Sequence, residues 1–224
     1  MRLGIIGAGN IGATLATLAV SAGHDVSVAN SRGPESLADL ADRLHAVAPP
    51  EVSIEAGTVA EAAKSADVVI LAIPFGRYPE LPEELGTGVA VVDATNYYTE
   101  RDGHFPDIEE HRRSSSQLIQ EHLTGARVVK AFNSMRWEHL RDLGSPEGAP
   151  DRYGIPVSAD DADAKGTVFE LVNSLGFDPV DAGGLDEGGR KHQPGTPIYT
   201  ADLRADELAA KLADASTPPG PPSV

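Results

Sequence analysis

The sequence has no cysteine and no long run of apolar residues. Without cysteine the chain has no disulfide scaffold, no thiolate metal site and no cysteine nucleophile, and we expect it to bind no metal. No apolar stretch approaches the roughly 18 residues of a membrane-spanning helix. Glycines interrupt the apolar residues after Met1, so we expect no secretion signal there. The absences predict a cytoplasmic protein that does not partner with membranes.

Basic residues are few compared with acidic ones. The 224 residues include 18 Lys and Arg against 34 Asp and Glu, which gives a formal net charge of −16. A surface of this sign repels phosphate backbones and anionic lipids, so we expect neither nucleic acid nor membranes as partners. A negatively charged cofactor must then be bound by local features, which gives weight to any arginine beside a phosphate-binding loop.

Short apolar segments alternate with helical patterns along residues 1–133. The segment 67–73 is apolar on both faces, which is typical of the middle of a parallel sheet. Strands that alternate with helices predict a doubly wound, mostly parallel α/β sheet of the Rossmann type. The predicted strands are 2–6, 25–29, 52–54, 67–73, 89–93 and 126–132, and the predicted helices are 10–22, 34–44, 58–64 and 116–123.

The pattern changes after residue 133. The remaining elements predict a small C-terminal α/β domain that follows the dinucleotide-binding domain 1–133. We assign 134–215 to this second domain, for substrate or dimer contacts, and expect the proline-rich tail 216–224 to be disordered. Its predicted helices are 137–143, 161–175 and 205–213, its predicted strands 155–159 and 177–181, and its irregular segment 183–197.

Residues 7–12 match the pattern GxGxxG between a predicted strand and a predicted helix. In a Rossmann unit the first glycine, here Gly7, makes the tight turn, and the second, Gly9, lets the backbone approach a pyrophosphate. The third, Gly12, lets helix and strand pack closely. The free N–H groups and the dipole at the helix start then hold the negative charge. The loop therefore predicts a dinucleotide site.

The second predicted strand does not end on the carboxylate that an NAD site usually places there to bond the ribose hydroxyls. Asn30, Ser31 and Arg32 occupy that place instead. Asn30 and Ser31 can donate hydrogen bonds to a 2′-phosphate, and Arg32 can pair with it. We therefore predict NADPH rather than NADH as the cofactor. The alternative for Arg32 is an ordinary solvated arginine.

Uncharged residues end three further predicted strands. Ligands of open α/β sheets bind at the carboxyl ends of the strands. Ile73 and Pro74 are expected to form an apolar wall against the ribose and nicotinamide. Thr95, Asn96 and Asn133 are expected to offer hydrogen bonds near the ring.

No catalytic acid–base pair stands out, and the catalytic residues stay unassigned. Asp93, at a strand end, is interpreted as a helix cap or loop brace. Hydride transfer between stacked rings needs proximity and orientation more than a proton shuttle, whereas reduction of a carbonyl or imine usually needs a proton donor. Tyr97, Tyr98 and His192 are the candidate donors for that second chemistry. The histidines interpreted as surface residues are His104, His111, His122, His139 and His192.

Five segments together resemble the NADPH:coenzyme F-420 oxidoreductase family. They are GIIGAGNIG at 4–12, NSRGP at 30–34, DATN at 93–96, VVKAFN at 128–133 and QPGTPIY at 193–199. The resemblance covers roughly residues 1–212. It implies a Rossmann domain and a small C-terminal domain with a cleft between them, in which hydride passes between nicotinamide C4 and deazaflavin C5. It also implies a homodimer.

The resemblance further implies the roles of individual residues. The pyrophosphate would be held by Gly7, Gly9, Asn10, Ile11 and Gly12, and the 2′-phosphate by Ser31 and Arg32, while Ile73 and Pro74 would flank the ribose and ring. The second substrate would meet residues 183–199, where Arg190, Lys191 and His192 could contact the phosphate and carboxylates of a deazaflavin tail.

Two alternatives to coenzyme F-420 stay open at this point. The chain could be an NADPH-dependent reductase of another small substrate, such as an imine, a carbonyl or a free flavin. It could also be a nucleotide-sensing Rossmann protein without catalysis.

Overall fold

Eight strands form one sheet in the computed structural model, which describes residues 1–215. Their order is β3-β2-β1-β4-β5-β6-β7-β8. All neighbouring pairs are parallel except β6 and β7, which are antiparallel. The strands are β1 (Arg2–Ile6), β2 (Asp25–Ala29), β3 (Ile54–Gly57), β4 (Val68–Leu71), β5 (Ala90–Asp93), β6 (Arg127–Lys130), β7 (Gly154–Ala159) and β8 (Asp178–Gly183).

Helices supply the crossovers that parallel strands require. Two 3₁₀ segments, Pro34–Leu37 and Phe75–Glu80, follow β2 and β4. The α-helices of residues 1–215 are α1 (Asn10–Ser21), α2 (Ala38–His45), α3 (Val59–Lys64), α4 (Thr99–Asp102), α5 (Pro106–Glu109), α6 (Ser115–His122), α7 (Trp137–Asp142), α8 (Ala162–Ser174), α9 (Glu187–Lys191) and α10 (Ala205–Asp214).

Several helices begin on side chains that satisfy their first N–H groups. Thr58 and Glu61 form a capping box at α3, and Ser114 and Gln117 form another at α6. Asp161 caps α8 by accepting a hydrogen bond from the Ala164 N–H. Each such cap typically stabilises a helix by ~1 kcal/mol. The start of α1 has no side-chain cap, and this difference matters for the site described below.

Apolar layers cover both faces of the sheet. On β1, Ile5 belongs to a core cluster that also includes residues of α1, α2, α7 and α8, while the adjacent Ile6 belongs to a second cluster with residues of α3 and α6. In β5, Val92 belongs to the first of these clusters and Val91 to the second. Strands buried on both faces explain the continuous apolar runs in the sequence, and the predicted doubly wound, mostly parallel α/β fold is confirmed.

The structure corrects three local predictions. The third strand lies at Ile54–Gly57 rather than 52–54 because it pairs in register with β2 at the edge of the sheet, where Glu55 and Ala56 are exposed and give no apolar signal. The sequence predicts an irregular segment at 183–197, yet it contains α9, and residues 96–113, for which the sequence predicts no helix or strand, contain α4 and α5. These helices have four or five residues, too few to show helical periodicity.

The sheet continues across the predicted domain boundary at residue 133. Strands β7 and β8 belong to the segment 134–215, and they extend the sheet beyond β6. The division into two domains stays a prediction, as does the homodimer. The tail 216–224, expected to be disordered, lies outside the described residues.

Candidate functional site

A cleft of about 440 Å³ opens where the order of the strands reverses, beside β1. Open α/β sheets bind ligands at this switch point. We call this cavity the main cleft. The predicted cofactor residues that line it are Gly7, Gly9, Asn30, Ser31, Arg32, Ile73 and Pro74.

The three loop glycines meet different surroundings. A Cβ on Gly7 would lie 2.3 Å from the Ala72 carbonyl oxygen, and one on Gly12 would lie 1.9 Å from the Gly7 carbonyl oxygen. A Cβ on Gly9 would meet no heavy atom within 4 Å. Gly7 and Gly12 therefore allow the backbone to pack, whereas Gly9 leaves open space on the side of the main cleft.

The N-terminus of α1 is suited to an anion. Gly9 is its N-cap, so no side chain accepts the first N–H groups, and the first turn contains no acidic residue. Asn10 is exposed there. Unsatisfied N–H groups and the positive end of the helix dipole favour a bound phosphate. The loop and helix together fit a dinucleotide pyrophosphate.

The Asn30 side chain organises the loop after β2. Its Oδ1 accepts a hydrogen bond from the Arg32 N–H at 2.8 Å, and its Nδ2 donates to Ser36 Oγ at 2.9 Å. Ser31 and Arg32 are exposed at the main cleft. Within residues 1–215 the Arg32 guanidinium has no hydrogen-bond or ion-pair partner. The guanidinium is therefore available to an anionic ligand. The Asn30 side chain, in contrast, uses its hydrogen bonds to hold the loop in place.

A second arginine, not predicted from the sequence, lies in the main cleft. Arg77 lines the cleft from the 3₁₀ segment after β4, and its Nε lies 2.6 Å from Glu80 Oε1. Both side chains are more than half exposed. The signal was an arginine three residues after Pro74, just past the end of a strand.

A second cavity, of about 330 Å³, borders the same loop. We call it the side cavity. It brings together Ile11, Asn96 and Asn133, which sequence reasoning had placed near the pyrophosphate and the ring. The segment that follows β6 and the segment around Tyr199 form the rest of its lining. Its lining consists of Ile11, Ala94, Asn96, Asn133, Met135, Arg136, Trp137, Glu138, Tyr199 and Thr200.

Thr95 lines neither cavity, because its side chain belongs to a buried polar network around Asp93. The Asp93 carboxylate accepts hydrogen bonds from the Thr95 N–H and hydroxyl at 2.9 and 2.6 Å and from Ser116 Oγ at 2.6 Å. The Lys130 ammonium lies 3.1 Å away, and both charged side chains are about 99% buried or more. The interpretation of Asp93 as a brace is confirmed. Sequence reasoning did not identify Lys130 as its partner.

The interpretation of His192 as a surface residue is wrong. The side chain is fully buried, with Nδ1 2.9 Å from Asn133 Oδ1 and Nε2 2.9 Å from Ser158 Oγ. Asn133 in turn donates to the His192 carbonyl oxygen at 2.8 Å. The polar groups of this loop can be buried because Asn133, after the end of β6, and Ser158, near the end of β7, form hydrogen bonds with them.

Asn133 is placed by an unusual backbone turn. Phe132, which is buried, has a φ of +62° in the left-handed region, where a residue with a side chain is strained. Asn133 Nδ2 also donates to Asn96 Oδ1 at 3.1 Å, and Asn96 Nδ2 donates to the Asn133 carbonyl oxygen at 2.9 Å. The chain His192, Asn133, Asn96 thus holds the Asn96 amide at the wall of the side cavity.

Burial and the nearby Lys130 charge lower the pKa of His192 well below its usual value. As pH falls below about 6.5, the unfolded state gains a proton that the folded state does not. We expect the free energy of unfolding to fall by up to about 1.4 kcal/mol per pH unit in this window. In His192→Gln this part of the slope should be lost, as measured by urea unfolding between pH 7 and about 5.

The control for this prediction is His104→Gln, since the His104 side chain is 81% exposed. It should keep the wild-type slope. An unchanged slope in His192→Gln would contradict the assignment of a buried, neutral imidazole.

Of the three candidate proton donors, Tyr98 is connected to the side cavity through another hydroxyl, whereas His192 reaches that cavity only through the Asn133 amide. The Tyr97 hydroxyl lies 2.9 Å from the Gly103 carbonyl oxygen and 2.6 Å from Glu109 Oε1, either of which can accept its proton. His192 is held by Asn133 and Ser158. The Tyr98 hydroxyl lies 2.5 Å from that of Tyr199, which lines the side cavity.

The basic residues expected to meet a deazaflavin tail have partners within the protein. Arg190 is 5% exposed and pairs with Asp186 at 2.7 Å, while Lys191 donates to the Leu212 carbonyl oxygen at 3.2 Å. The segment packs against β7 and β8 as α9, which buries Arg190 and partly buries Lys191. Arg136, exposed at the side cavity, is the cation that the sequence analysis overlooked.

Residues 1–215 contain no group of three or more His, Asp or Glu side chains placed to hold a metal ion. Among the helices of this described part, none combines the length and the apolar character needed to cross a membrane.

A doubly wound sheet with a glycine-rich first crossover and a cleft at the switch point is the architecture of NAD(P)-binding oxidoreductases. Residues 2–97 match the family described as NADP oxidoreductase, coenzyme F420-dependent. This match confirms the resemblance noted in the sequence, and residues 2–97 belong to this family.

Known proteins extend the comparison beyond the matched residues. A hypothetical protein from Sinorhizobium meliloti is 34% identical, with a TM-score of 0.76, over 91% of this chain and 95% of its own. A protein from Arthrobacter sp. FB24, proposed to be an F420-dependent NADP-reductase, is 26% identical, with a TM-score of 0.65, over 83% and 86%.

A relative of different size is metalloreductase STEAP3 of Rattus norvegicus. It is 30% identical over 187 residues, which is 82% of this chain and 34% of that protein. The chain spans about a third to a half of the length of the curated relatives that it matches.

Proposed function

We propose that this protein transfers hydride between NADPH and the deazaflavin coenzyme F-420. The observation that carries the proposal is the pair of cavities on one loop. The main cleft lies at Gly7 and Gly9, and the side cavity begins at Ile11, two residues further on. A dinucleotide bound in the main cleft would direct its nicotinamide toward a second space large enough for another ring system.

The residues of the main cleft fit NADPH. Gly7, Gly9 and Gly12, with Asn10 and Ile11 at the start of α1, would hold the pyrophosphate on free N–H groups. Ser31 and Arg32 would bind the 2′-phosphate, with Asn30 bracing their loop. Ile73 and Pro74 would exclude water from one side of the ribose and ring.

The side cavity would position the reacting rings. When bound, NADPH supplies the hydride at nicotinamide C4. Asn96 and Asn133 would orient the nicotinamide and the acceptor through the amide network that His192 supports. The apolar side chains Met135 and Trp137 and the cation Arg136 would contact the acceptor. An aromatic ring system that carries negative charge fits this lining.

Turnover with deazaflavin tests the proposal. Pure protein mixed with NADPH and oxidised coenzyme F-420 should bleach the visible absorbance of the deazaflavin, and NADH should support a lower kcat/KM. Absence of enzyme-dependent bleaching, at every pH where the protein stays folded, would contradict the proposed function.

A second candidate function is NADPH-dependent reduction of another small acceptor, such as an imine, a carbonyl or a flavin. The observation in its favour is the Tyr98–Tyr199 pair, because a carbonyl or imine needs a proton at its heteroatom. Activity with such acceptors but none with deazaflavin would favour this alternative.

A further inference from the structure

Two tyrosines that lie 101 residues apart in the chain meet at the side cavity. Their hydroxyl oxygens are 2.5 Å apart, a short hydrogen bond. Tyr199 lines the cavity beside Asn96 and Asn133, while Tyr98 is on the segment after β5 and outside the lining. Both side chains are partly buried.

The hydrogen bond leaves one proton of the pair unused. Each phenol has a single O–H, and only one of the two can lie between the oxygens. When Tyr98 donates to Tyr199, the O–H of Tyr199 is free to point into the side cavity. The pair can therefore present an acid to a molecule bound there and hold a second proton in reserve.

Burial and the neighbouring hydroxyl make Tyr199 hold its proton more tightly than a free phenol does. The Arg101 guanidinium lies 5.0 Å from the centre of the Tyr98 ring, and Arg136 lines the cavity beside Tyr199. Burial and the hydrogen bond with Tyr98 raise the pKa of Tyr199, and the two cations offset only part of this rise. Tyr199 thus keeps its proton until a more basic atom is formed beside it. Glu138 is the acidic residue in the lining.

We propose that Tyr199 is the proton donor to the hydride acceptor and that Tyr98 restores its proton. This inference rests on the proposed function. As the acceptor carbon gains a C–H bond from the hydride, its conjugated nitrogen gains an N–H bond from the Tyr199 hydroxyl. The electron pair of the broken O–H bond stays on the Tyr199 oxygen.

The remaining proton transfers close the cycle. Tyr98 gives its proton to the Tyr199 oxygen across the 2.5 Å hydrogen bond, and water restores the proton of Tyr98. The net reaction consumes NADPH, the acceptor and one proton, and it yields NADP⁺ and the reduced acceptor. The same donor would serve the nitrogen of an imine or the oxygen of a carbonyl.

The test compares Tyr199→Phe and Tyr98→Phe with the wild type in reduction of coenzyme F-420 by NADPH, in H₂O and in D₂O. We expect a solvent isotope effect on the wild-type kcat. Tyr199→Phe should lower kcat roughly 100-fold, with an unchanged Kd for NADPH that shows the site is folded. Tyr98→Phe should give a smaller loss of kcat. The control is Tyr153→Phe, whose ring packs under Arg204 and lines neither cavity; it should match the wild type.

The outcomes separate the two proposals. If the wild type turns over deazaflavin, and Tyr199→Phe does so with the same kcat and the same solvent isotope effect, the proton-donor role is overturned and the proposed function stands. If the wild type shows no turnover, the proposed function is overturned and this inference with it.

Discussion

Replacing Arg32 with alanine should weaken NADPH binding roughly 10- to 150-fold and leave NADH binding nearly unchanged. The guanidinium is exposed at the main cleft and has no partner within residues 1–215, so it is free to pair with a 2′-phosphate. Loss of a charge-assisted contact typically costs about 1.5–3 kcal/mol, which corresponds to this range in Kd. Fluorescence titration of both nucleotides measures the effect.

Arg43→Ala is the matched control, because it makes the same change of net charge on α2 at an exposed position that does not line the cleft. It should leave both Kd values close to wild type. An equal loss of affinity for NADPH and NADH in Arg32→Ala would contradict contact with the 2′-phosphate.

Gly9→Ala should weaken NADPH binding without affecting stability, whereas Gly12→Ala should lower the stability of the fold. A methyl group at Gly9 meets no heavy atom within 4 Å, and the backbone there is extended with a φ of −77°. Gly9→Ala should therefore keep wild-type stability. The methyl would occupy space that the pyrophosphate needs, so it should cost about 1–3 kcal/mol of NADPH binding, roughly 5- to 150-fold in Kd.

A methyl group at Gly12 would lie 1.9 Å from the Gly7 carbonyl oxygen, so helix α1 or the loop must move. We expect Gly12→Ala to lower the free energy of unfolding by about 1–3 kcal/mol or more. Thermal unfolding and NADPH titration of both variants separate the effects. Wild-type NADPH affinity in Gly9→Ala would show that no pyrophosphate lies against this loop.

Much of the fold could be predicted because apolar runs and glycines mark it locally. The bounds of β1 and β2 agree with the prediction to the residue, since both are bounded by turn residues and buried on the inside of a parallel sheet. Strand β3 could not be placed as well. Its side chains are half exposed at the sheet edge, and its register depends on β2.

The candidate site was predictable only in its nucleotide half. Gly7, Gly9 and Arg32 belong to one local motif whose spacing carries its function, and the structure gathers them in one cleft. The pairing of Tyr98 with Tyr199 and the burial of His192 depend on chain segments far apart in sequence. A local sequence pattern does not show which distant segments will come into contact in the fold.

Direct hydride transfer is tested most directly with NADPH that carries deuterium at both C4 positions. After one turnover with coenzyme F-420 in H₂O, mass spectrometry of the reduced deazaflavin should find one deuterium retained on carbon. This result is expected if the side cavity holds the two rings against each other. Reduced deazaflavin without deuterium, or no reduced deazaflavin at all, would contradict it.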